Sequence, residues 1–396
     1  MLNRQSGSRF SIGRYVATAA IGIMALAAGW SPSSAQTGNW VLQKTEEGTA
    51  AAKAAGLADA ARDGGAVAAP TGKKIGLILL SMQSPANYRI AETAKKLGTL
   101  FGYEVIICDP DFDAQRVAQC ATSIVAQRPD AVLSDAHEPT TLGSALNDAR
   151  DMGIPWFALV VNVSQSPALM QYGITGREVG AVYDKWLLDE IAKRKGEGKP
   201  LKVMALGAPA LGAALLAQQE QLAEDIKARA GAELTVQHDL DLPNIVQDTL
   251  NITKQTLGQN PDLGGTWTVC DFCVPLIAQV YDSEGLTGDK RPVVGGNYTT
   301  PQSVDLIRQG KVDGVVDISF ESSIYVVFDQ LLQKWARDRA INNSPDVFST
   351  AYSLKFMEPY MVTKDNIGSG ADIPILGANY EDYFAAKWGA EFGIGK

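Results

Sequence analysis

Residues 73–135 read KKIGLILLSMQSPANYRIAETAKKLGTLFGYEVIICDPDFDAQRVAQCATSIVAQRPDAVLSD, and this stretch decides the fold. Short apolar runs alternate in it with amphipathic stretches, which predicts strands at 74–80, 104–108 and 131–134 and helices at 87–101 and 114–127. Near-continuous apolar runs are typical of parallel strands that are buried on both faces. The alternation therefore predicts βαβ units built around a parallel sheet.

The same alternation continues beyond this stretch and then restarts. The further predicted elements are strands at 155–161, 201–206, 234–237, 265–269 and 292–295, and helices at 141–152, 180–195, 211–230, 245–257 and 274–282. Two similar sets in one chain predict an α/β fold with two similar doubly wound parallel-sheet lobes. Ligands bind such sheets at the carboxyl ends of the strands, so we expect a site in the cleft between the lobes.

Composition excludes several classes of function. The chain has 396 residues, which favours two domains, and its formal net charge is −9 with no cluster of Lys and Arg. Nucleic acid is therefore not an expected partner. The two histidines, His137 and His238, and four cysteines are too few for most zinc enzymes and His-centred catalytic triads. We expect neither a cofactor nor a metal.

The first residues have the pattern of a secretory signal peptide. Arg4, Arg9 and Arg14 precede an apolar stretch at 15–30, and small residues end the segment at Ala35. A membrane anchor is the alternative, but the apolar stretch is shorter than the ~20 residues that a spanning helix needs. We expect 1–35 to be a signal peptide for the periplasm. The segment 36–72 is predicted to be a linker or docking arm, with one helix near 45–62.

Export affects the interpretation of the cysteines, because thiols tend to pair in an oxidising compartment. Cys270 and Cys273 form a CxxC motif, and Cys108 and Cys120 are the other two. A redox-active CxxC is one hypothesis, because a helix N-terminus stabilises a thiolate. A structural bridge, or two packed thiols, is the alternative that we favour.

Several landmarks resemble one known family. They are the run Ser84–Tyr88 after the first strand, Gly102–Val105, Arg128–Ala131, Gly153–Pro155, Val293–Asn297 with Thr300 and Pro301, and Arg308–Lys311. In order and spacing they are similar to landmarks of the type I periplasmic solute-binding proteins, in the ribose-binding-like group. The resemblance spans about 73–317 and extends toward 364.

The resemblance implies a binding protein rather than an enzyme. It implies that a small solute is captured between two lobes joined by a three-segment hinge, with crossings near 173–176, 317–319 and 359–361. The lobes would comprise 73–174 with 318–358, and 175–317 with 359–396, the latter including a C-terminal tail. The expected partners are a small-molecule ligand and an inner-membrane ABC permease with its ATPase, and the chain is expected to be a monomer.

The predicted pocket departs from the family's sugar-binding pattern. The Asp-Arg pair after the fourth strand falls on Val160 and Val161, and an arginine falls near Leu215. A glutamine at the second crossing falls near Ile318, with Asp317 as the alternative position. A pocket without these charged groups would leave sugar hydroxyls unpaired, at about 1–3 kcal/mol each. We expect a ligand that is less polar than a free sugar, such as an aromatic molecule, with a sugar or polyol as the alternative.

The candidate ligand-binding residues follow the carboxyl ends of the predicted strands or occupy the family's pocket positions. They are Asn87, Tyr88, Arg89, Asp135, His137, Val161, Asn162, Leu215, Cys270, Asp271, Phe272, Asn297, Tyr298 and Asp317. Several have a second interpretation. Trp156, a further aromatic candidate, is as compatible with the core as with the pocket. Asn87 and Asp271 could cap helices. Arg89 could be solvated rather than turned toward an acidic ligand. His137 could be a hydrogen-bonding group at the cleft edge or a residue of a surface loop.

Two other functions fit parts of the sequence. A periplasmic partner of a membrane receptor, which senses rather than transports the ligand, would use the same fold. A thiol oxidoreductase would use the stretch 270–273, but thioredoxin-like motifs occur in a compact domain with one sheet. We therefore expect no enzyme activity.

Overall fold

The computed structural model describes residues 38–368 and 370–394, so the predicted signal peptide lies outside the described residues. The strands are β1 (Trp40–Leu42), β2 (Lys74–Ile78), β3 (Glu104–Cys108), β4 (Ala131–Asp135), β5 (Trp156–Val161), β6 (Met170–Ile174), β7 (Leu201–Gly207), β8 (Ala232–Asp239), β9 (Gly265–Thr268), β10 (Val293–Asn297), β11 (Gly314–Asp317), β12 (Tyr360–Thr363) and β13 (Ile373–Ile375). The helices are α1 (Glu46–Arg62), α2 (Pro85–Phe101), α3 (Ala114–Ala126), α4 (Ala145–Asp151), α5 (Gly176–Lys195), α6 (Ala213–Ala228), α7 (Ile245–Gln259), α8 (Cys273–Ser283), α9 (Pro301–Arg308), α10 (Phe320–Arg337), α11 (Val347–Thr350) and α12 (Tyr380–Phe392).

Local sequence explains where several of these elements begin and end. Helix α2 begins with Pro85, which lacks the N–H that a first helical turn leaves unbonded, and it ends at Gly102 in the left-handed conformation (φ 69°). The helix predicted at 141–152 is shorter than expected. Gly143 has a φ of 63°, which a continuous helix does not allow, so α4 begins only at Ala145.

Two separate sheets confirm the predicted fold class. The first has the order β3-β2-β4-β5-β6, and all its strand pairs are parallel. The second has the order β12-β11-β10-β9-β7-β8 and is parallel except for β12, which runs antiparallel to β11. Strand order reverses between β2 and β4 in one sheet and between β7 and β9 in the other. These are the switch points where doubly wound sheets bind ligands.

We define the first lobe as β2–β6 with α2–α4, α10 and α11, and the second lobe as β7–β12 with α5–α9. The chain leaves the first sheet after Ile174 and enters α5, and it returns between Asp317 and Phe320. Helix α10 then packs on α2 and on strand β5 of the first lobe. It enters the second sheet again at Tyr360. Each crossing therefore lies at the carboxyl end of a strand, since Ile174 ends β6, Asp317 ends β11 and Tyr360 pairs with Asp317.

The segment 36–72 is docked on the C-terminal helix. Helix α1 packs along α12, and β1 pairs in parallel with β13. Gly56 permits the close approach of α1 and α12, because a Cβ there would lie 2.3 Å from the Tyr383 carbonyl oxygen. The expectation that all of 359–396 belongs with the second lobe is wrong for α12, which packs on α1 and on α10.

A buried charge network holds these helices together. The ammonium group of Lys387 is fully buried and donates hydrogen bonds to Asp329 of α10 (2.9 Å) and Glu391 of α12 (3.0 Å). It also pairs with Asp63, directly after α1, at 2.9 Å. Removing one partner from such a network leaves a buried charge without compensation. The network therefore fixes the arm against the first lobe through α10.

Both cysteine pairs are bonded in the structure, which joins Cys108 to Cys120 and Cys270 to Cys273. No free cysteine remains among the described residues. The first bond links the end of β3 to α3, and the second spans the turn between β9 and α8. Across 38–368 and 370–394, no helix combines the length and apolar character needed to cross a membrane.

Candidate functional site

An apolar cavity of about 130 Å³ lies between the two lobes, at the carboxyl ends of their sheets. Both lobes contribute to its walls. It is lined by Leu80, Ser84, Ala86, Asn87, Phe112, Asp135, Ala136, Glu138, Val160, Val161, Val163, Ala208, Leu211, Gly212, Ala214, Leu215, Ile245, Val269, Cys270, Asp271, Phe272, Tyr298 and Phe320. An enclosed apolar space of roughly 150 Å³ is known to hold benzene, so this cavity has room for about one small ring.

Asn87 organises the first-lobe wall. Its side-chain oxygen accepts hydrogen bonds from the backbone N–H groups of Leu80 (2.6 Å) and Ser81 (3.3 Å), directly after β2. These bonds tie the first turn of α2 to the carboxyl end of β2. The prediction that Asn87 caps the helix is wrong, because its side-chain oxygen accepts from N–H groups of the loop before α2 rather than from N–H groups of α2 itself.

Predicted apolar positions face each other across the cavity. Val160 and Val161 end strand β5 in the first lobe, and Leu215 lies in the first turn of α6 in the second. Phe272 joins them from the turn before α8. The charged side chains that sugar-binding relatives were expected to carry at three of these positions are thus replaced by aliphatic groups in the wall.

The backbone around the cavity is conformationally unusual. Ala136, Val160 and Tyr298 each follow or end a strand and have φ values of 53°, 70° and 57°. Residues other than glycine rarely adopt this region, and a β-branched valine does so at a particular steric cost. Such strain persists where the surrounding structure imposes it, and it clusters at functional sites.

Two buried acids belong to the lining and have no basic neighbour there. Burial raises the pKa of Asp135 to about 7, although a hydrogen bond with Asn87 opposes the rise. Burial also raises the pKa of Asp271 to about 6, against hydrogen bonds from backbone N–H groups that include that of Phe272 (2.8 Å). Glu138 is the third acid of the lining, and no Lys, Arg or His of the described residues lines the cavity.

Arg89 lies beside the cavity rather than in it. It is 3% exposed, and its guanidinium donates to Asp317 (3.1 Å) and to Glu321 (2.8 and 3.0 Å). It is neither solvated, as one prediction held, nor part of the lining. Burial raises the pKa of Asp317 while the charge of Arg89 opposes this rise. Asp317 is therefore committed to a structural ion pair.

Phe320 separates this ion pair from the cavity. The Arg89 guanidinium lies 4.7 Å from the centre of the Phe320 ring, and the Phe320 side chain also lines the cavity. The Tyr298 ring packs edge-on against Phe320, with ring centroids 4.9 Å apart. The Phe320 and Tyr298 rings therefore separate the Arg89 ion pairs from the interlobe cavity.

Several predicted site residues lie elsewhere. His137 is 4% exposed and donates its Nε2–H to the Leu79 carbonyl (2.9 Å), so the surface-loop alternative is wrong; burial lowers its pKa to about 4. Asn297 donates to the Gln218 side chain at 2.8 Å. The side-chain oxygen of Asn162 is buried without a partner, outside the lining. Within the described ranges, no group of acids, histidines and cysteines is arranged to hold a metal ion.

Two of the aromatic candidates also lie outside the cavity. Trp156 belongs to the first-lobe core, where its indole N–H donates to the Ser134 hydroxyl at 2.9 Å. Tyr88 lines a different, more polar pocket together with Trp40 of the arm. The cavity instead takes its aromatic groups from Phe112, Phe272, Tyr298 and Phe320.

Sequence reasoning missed several lining residues. Phe320 directly follows the second crossing, a position that the family pattern already marks for the pocket. Ile245 begins α7, and Phe112 lies in the loop after β3 with a φ of 59°. Nothing in an isolated apolar residue on a loop distinguishes a cavity wall from a surface position, so Phe112 and Leu211 carried no usable signal.

Comparison with known proteins identifies the class. The family model described as "Periplasmic binding protein domain" matches residues 75–337. This chain belongs to that family of periplasmic binding proteins, and the expectation of a binding protein rather than an enzyme is confirmed. A search of curated proteins finds no match.

Solved structures with the same fold agree. An ABC sugar transporter subunit from Rhodobacter sphaeroides 2.4.1 has a TM-score of 0.62 at 15% identity, over 74% of this chain and 99% of that one. A galactofuranose-binding protein has a TM-score of 0.63 at 17% identity, over 82% and 100%. The Caulobacter myo-inositol-binding protein has a TM-score of 0.62 at 13% identity, over 74% and 94%. At these identities, the TM-scores show a shared fold.

Proposed function

We propose that this chain is the periplasmic substrate-binding component of an ABC importer and that its ligand is a small, largely apolar molecule. The observation that carries the proposal is the lining of the interlobe cavity, which includes Val160, Val161 and Leu215, the positions where the family resemblance implies charged side chains in sugar binders. A polyol placed there would lose hydration at the hydroxyls that face these aliphatic side chains without gaining a partner for them. The liganded form would dock on an inner-membrane permease with its ATPase, with the binding protein acting as a monomer.

A contact between the lobes supports capture by closure. Glu138 follows β4 of the first lobe, and its carboxylate accepts a hydrogen bond from the backbone N–H of Ala213 (2.8 Å) in the second lobe. Ala213 is the first residue of α6, where the helix dipole favours a negative charge. The other oxygen of Glu138 accepts from the Ser164 N–H at 3.0 Å. A ligand that touches both lobes would add to this contact only when the lobes are closed.

A sugar or polyol ligand is the second candidate. Solved structures of similar fold are described as binding galactofuranose, myo-inositol and D-allose. The polar side chains in the lining are Ser84, Asn87, Asp135, Glu138, Asp271 and Tyr298. The Asn87 oxygen already accepts from two backbone N–H groups, and each Glu138 oxygen accepts from one, which reduces what is free to bind a ring of hydroxyls.

A thermal-shift screen separates the two candidates. The purified chain is heated with pentoses, hexoses and polyols in one set and with single-ring aromatic and alicyclic compounds in the other. A ligand at a hundred times its dissociation constant adds about 2.7 kcal/mol of stability, which is easily measured. We expect the second set to raise the melting temperature. Stabilisation by sugars or polyols alone would contradict the apolar ligand and leave the binding function intact.

A matched pair of variants locates the binding. Leu215→Trp would fill the cavity, whereas Leu216→Trp places the same side chain at the next residue of α6, which is 43% exposed and outside the lining. We expect the first variant to lose the ligand-induced shift and the second to retain it. Equal shifts in both variants would mean that the compounds bind outside the cavity.

A further inference from the structure

We propose that the ligand of the interlobe cavity is an organic cation, a protonated amine on an apolar body, held between Asp135 of the first lobe and Asp271 of the second. This inference rests on the proposed function and names the chemical class that the cavity selects. It depends on where the two carboxylates lie, on what faces them, and on the size and character of the space between them.

The two carboxylates come from opposite lobes. Asp135 is the last residue of β4, at the carboxyl end of the first sheet, and Asp271 follows β9 at the carboxyl end of the second. Both line the cavity, and they are 3% and 9% exposed. Tyr298 lines the same cavity, and burial first, then the charges of Asp135, Asp317 and Asp271, raise the pKa of its phenol. A ligand that fills the cavity can therefore contact both lobes.

Within the described part of the chain, neither carboxylate forms a salt bridge. The described residues give Asp135 no salt bridge, and its hydrogen-bonding neighbour is the neutral Asn87. Asp271 accepts a hydrogen bond from the Phe272 backbone N–H on one of its two oxygens. Buried carboxylates are expensive unless they are paired, and most are paired within the protein. These two face a space, so the missing positive charge can come from a ligand.

The rest of the lining selects what the charge is attached to. The walls are aliphatic and aromatic, with Val161 and Leu215 on opposite lobes and Phe272 and Phe320 beside them. The volume of about 130 Å³ suits one ring or a short branched chain. The aromatic faces also attract a cation. An anionic ligand would meet three acids and no base, so carboxylates and phosphates are excluded by repulsion.

A bridging ammonium group would also favour the closed form. Its hydrogen bonds to Asp135 and Asp271 are formed together only when the lobes are close, so its affinity differs between open and closed states. Charge-assisted hydrogen bonds are about twice as strong as neutral ones. An amine should therefore bind more tightly than an alcohol of equal shape.

The experiment uses three probes of one shape, benzylamine, benzyl alcohol and benzoate, in titrations of the purified chain at pH 8. At this pH both carboxylates are ionised and benzylamine is protonated. We expect benzylamine to bind about tenfold more tightly than benzyl alcohol, and benzoate not to bind. If benzyl alcohol bound as tightly as benzylamine, or more tightly, the proposal of a cationic ligand would be wrong, whereas the proposal of an apolar ligand would stand. No binding of benzylamine would also overturn the proposal of a cationic ligand.

Isosteric variants test the two contacts. Asp135→Asn and Asp271→Asn should each weaken benzylamine binding about tenfold while changing the affinity for benzyl alcohol less than about threefold. The matched controls Asp148→Asn and Asp289→Asn remove exposed acids from the first and second lobes, and they should change neither affinity. Unchanged amine affinity in both cavity variants would overturn the assignment. If sugars stabilise the wild-type chain and benzylamine does not, the proposal of a cationic ligand is wrong, whereas the proposal that the chain captures a ligand between its lobes remains.

Discussion

One pair of buried carboxylates lies on each side of the Phe320 ring, and the two pairs differ in whether a basic side chain compensates their charge. Asp317 and Glu321 share the guanidinium of Arg89, which packs on one side of the ring. Asp135 and Asp271 lie on the cavity side with no basic group in the lining. The compensated pair joins α2 to the second crossing and so belongs to the fold. The uncompensated pair lowers the stability of the ligand-free chain. In the proposal, a cationic ligand supplies the positive charge that this pair lacks.

The largest expected effect is the loss of Arg89. Arg89→Met keeps the length of the side chain but leaves Asp317 and Glu321 buried without a cation, which should lower the free energy of unfolding by about 3–5 kcal/mol. Urea denaturation followed by circular dichroism measures the change. The control Arg116→Met removes a half-exposed arginine from α3 and should cost less than about 1 kcal/mol. Equal losses in both variants would remove the contrast between the two groups.

Asp135→Asn should act in the opposite direction. Because burial raises the pKa of this carboxyl to about 7, its ionised form destabilises the ligand-free chain at pH 8, and a neutral amide of the same shape removes that cost. We expect the free energy of unfolding to rise by on the order of 1–4 kcal/mol. The same denaturation experiment at pH 8 checks it. A lower stability of the variant would mean that the carboxylate is compensated within the protein.

The pH dependence of stability should reveal the same group. The folded chain holds the Asp135 proton up to a pKa of about 7, whereas the unfolded chain releases it near the ordinary aspartate pKa of 3.8. Between these values the folded state binds more protons, so this group's contribution to stability is full below about pH 4 and is lost as the pH rises toward 7.

The difference between the wild type and Asp135→Asn isolates this contribution from other titrating groups. The groups that act on Asp135 or on its neighbour Tyr298 are Asn87, Asp271 and Asp317. The stability gap between the two proteins, measured by denaturation at half-unit steps, should widen from pH 5 to pH 8. A constant gap over this range would contradict a raised pKa for Asp135.

The smallest expected effect concerns the contact between the lobes. Glu138→Gln retains the shape of the side chain but weakens its bond to the Ala213 N–H, by about 1 kcal/mol or less. The ligand-free variant should have a larger radius of gyration in solution scattering, because the open form gains population. The exposed control Glu197→Gln should scatter as the wild type does. A radius that does not change would remove Glu138 from the closure contact.

Four strands of each sheet and most of the helices could be predicted from the sequence, because period and apolar runs are local properties, whereas β6, β11 and β12 were not predicted. Strand β3 was predicted with its observed bounds, and β5 differed by one residue at its start. The aliphatic cavity wall at Val160, Val161 and Leu215 was accessible through departures from a family pattern. These are positions where one residue type carries the information.

The ion pair of Arg89 could not be predicted in this way. Its partner Asp317 is 228 positions away along the chain, and the pairing depends on how α10 packs on α2. The docking of α1 on α12 has the same origin, since Gly56 meets Tyr383 only through the tertiary fold. The alanine-rich sequence of α1 has no amphipathic pattern from which its packing on α12 could be predicted. Contacts of this kind follow from packing, which local propensity does not encode.

Calorimetric titration of the wild-type chain at pH 8 tests whether the lobes close on an apolar body with a cationic group. We expect one site per chain for benzylamine, with a negative heat-capacity change from buried apolar surface. We expect no detectable heat of binding for D-ribose. Saturable binding of D-ribose with no binding of benzylamine would show that the cleft does not select an apolar cation.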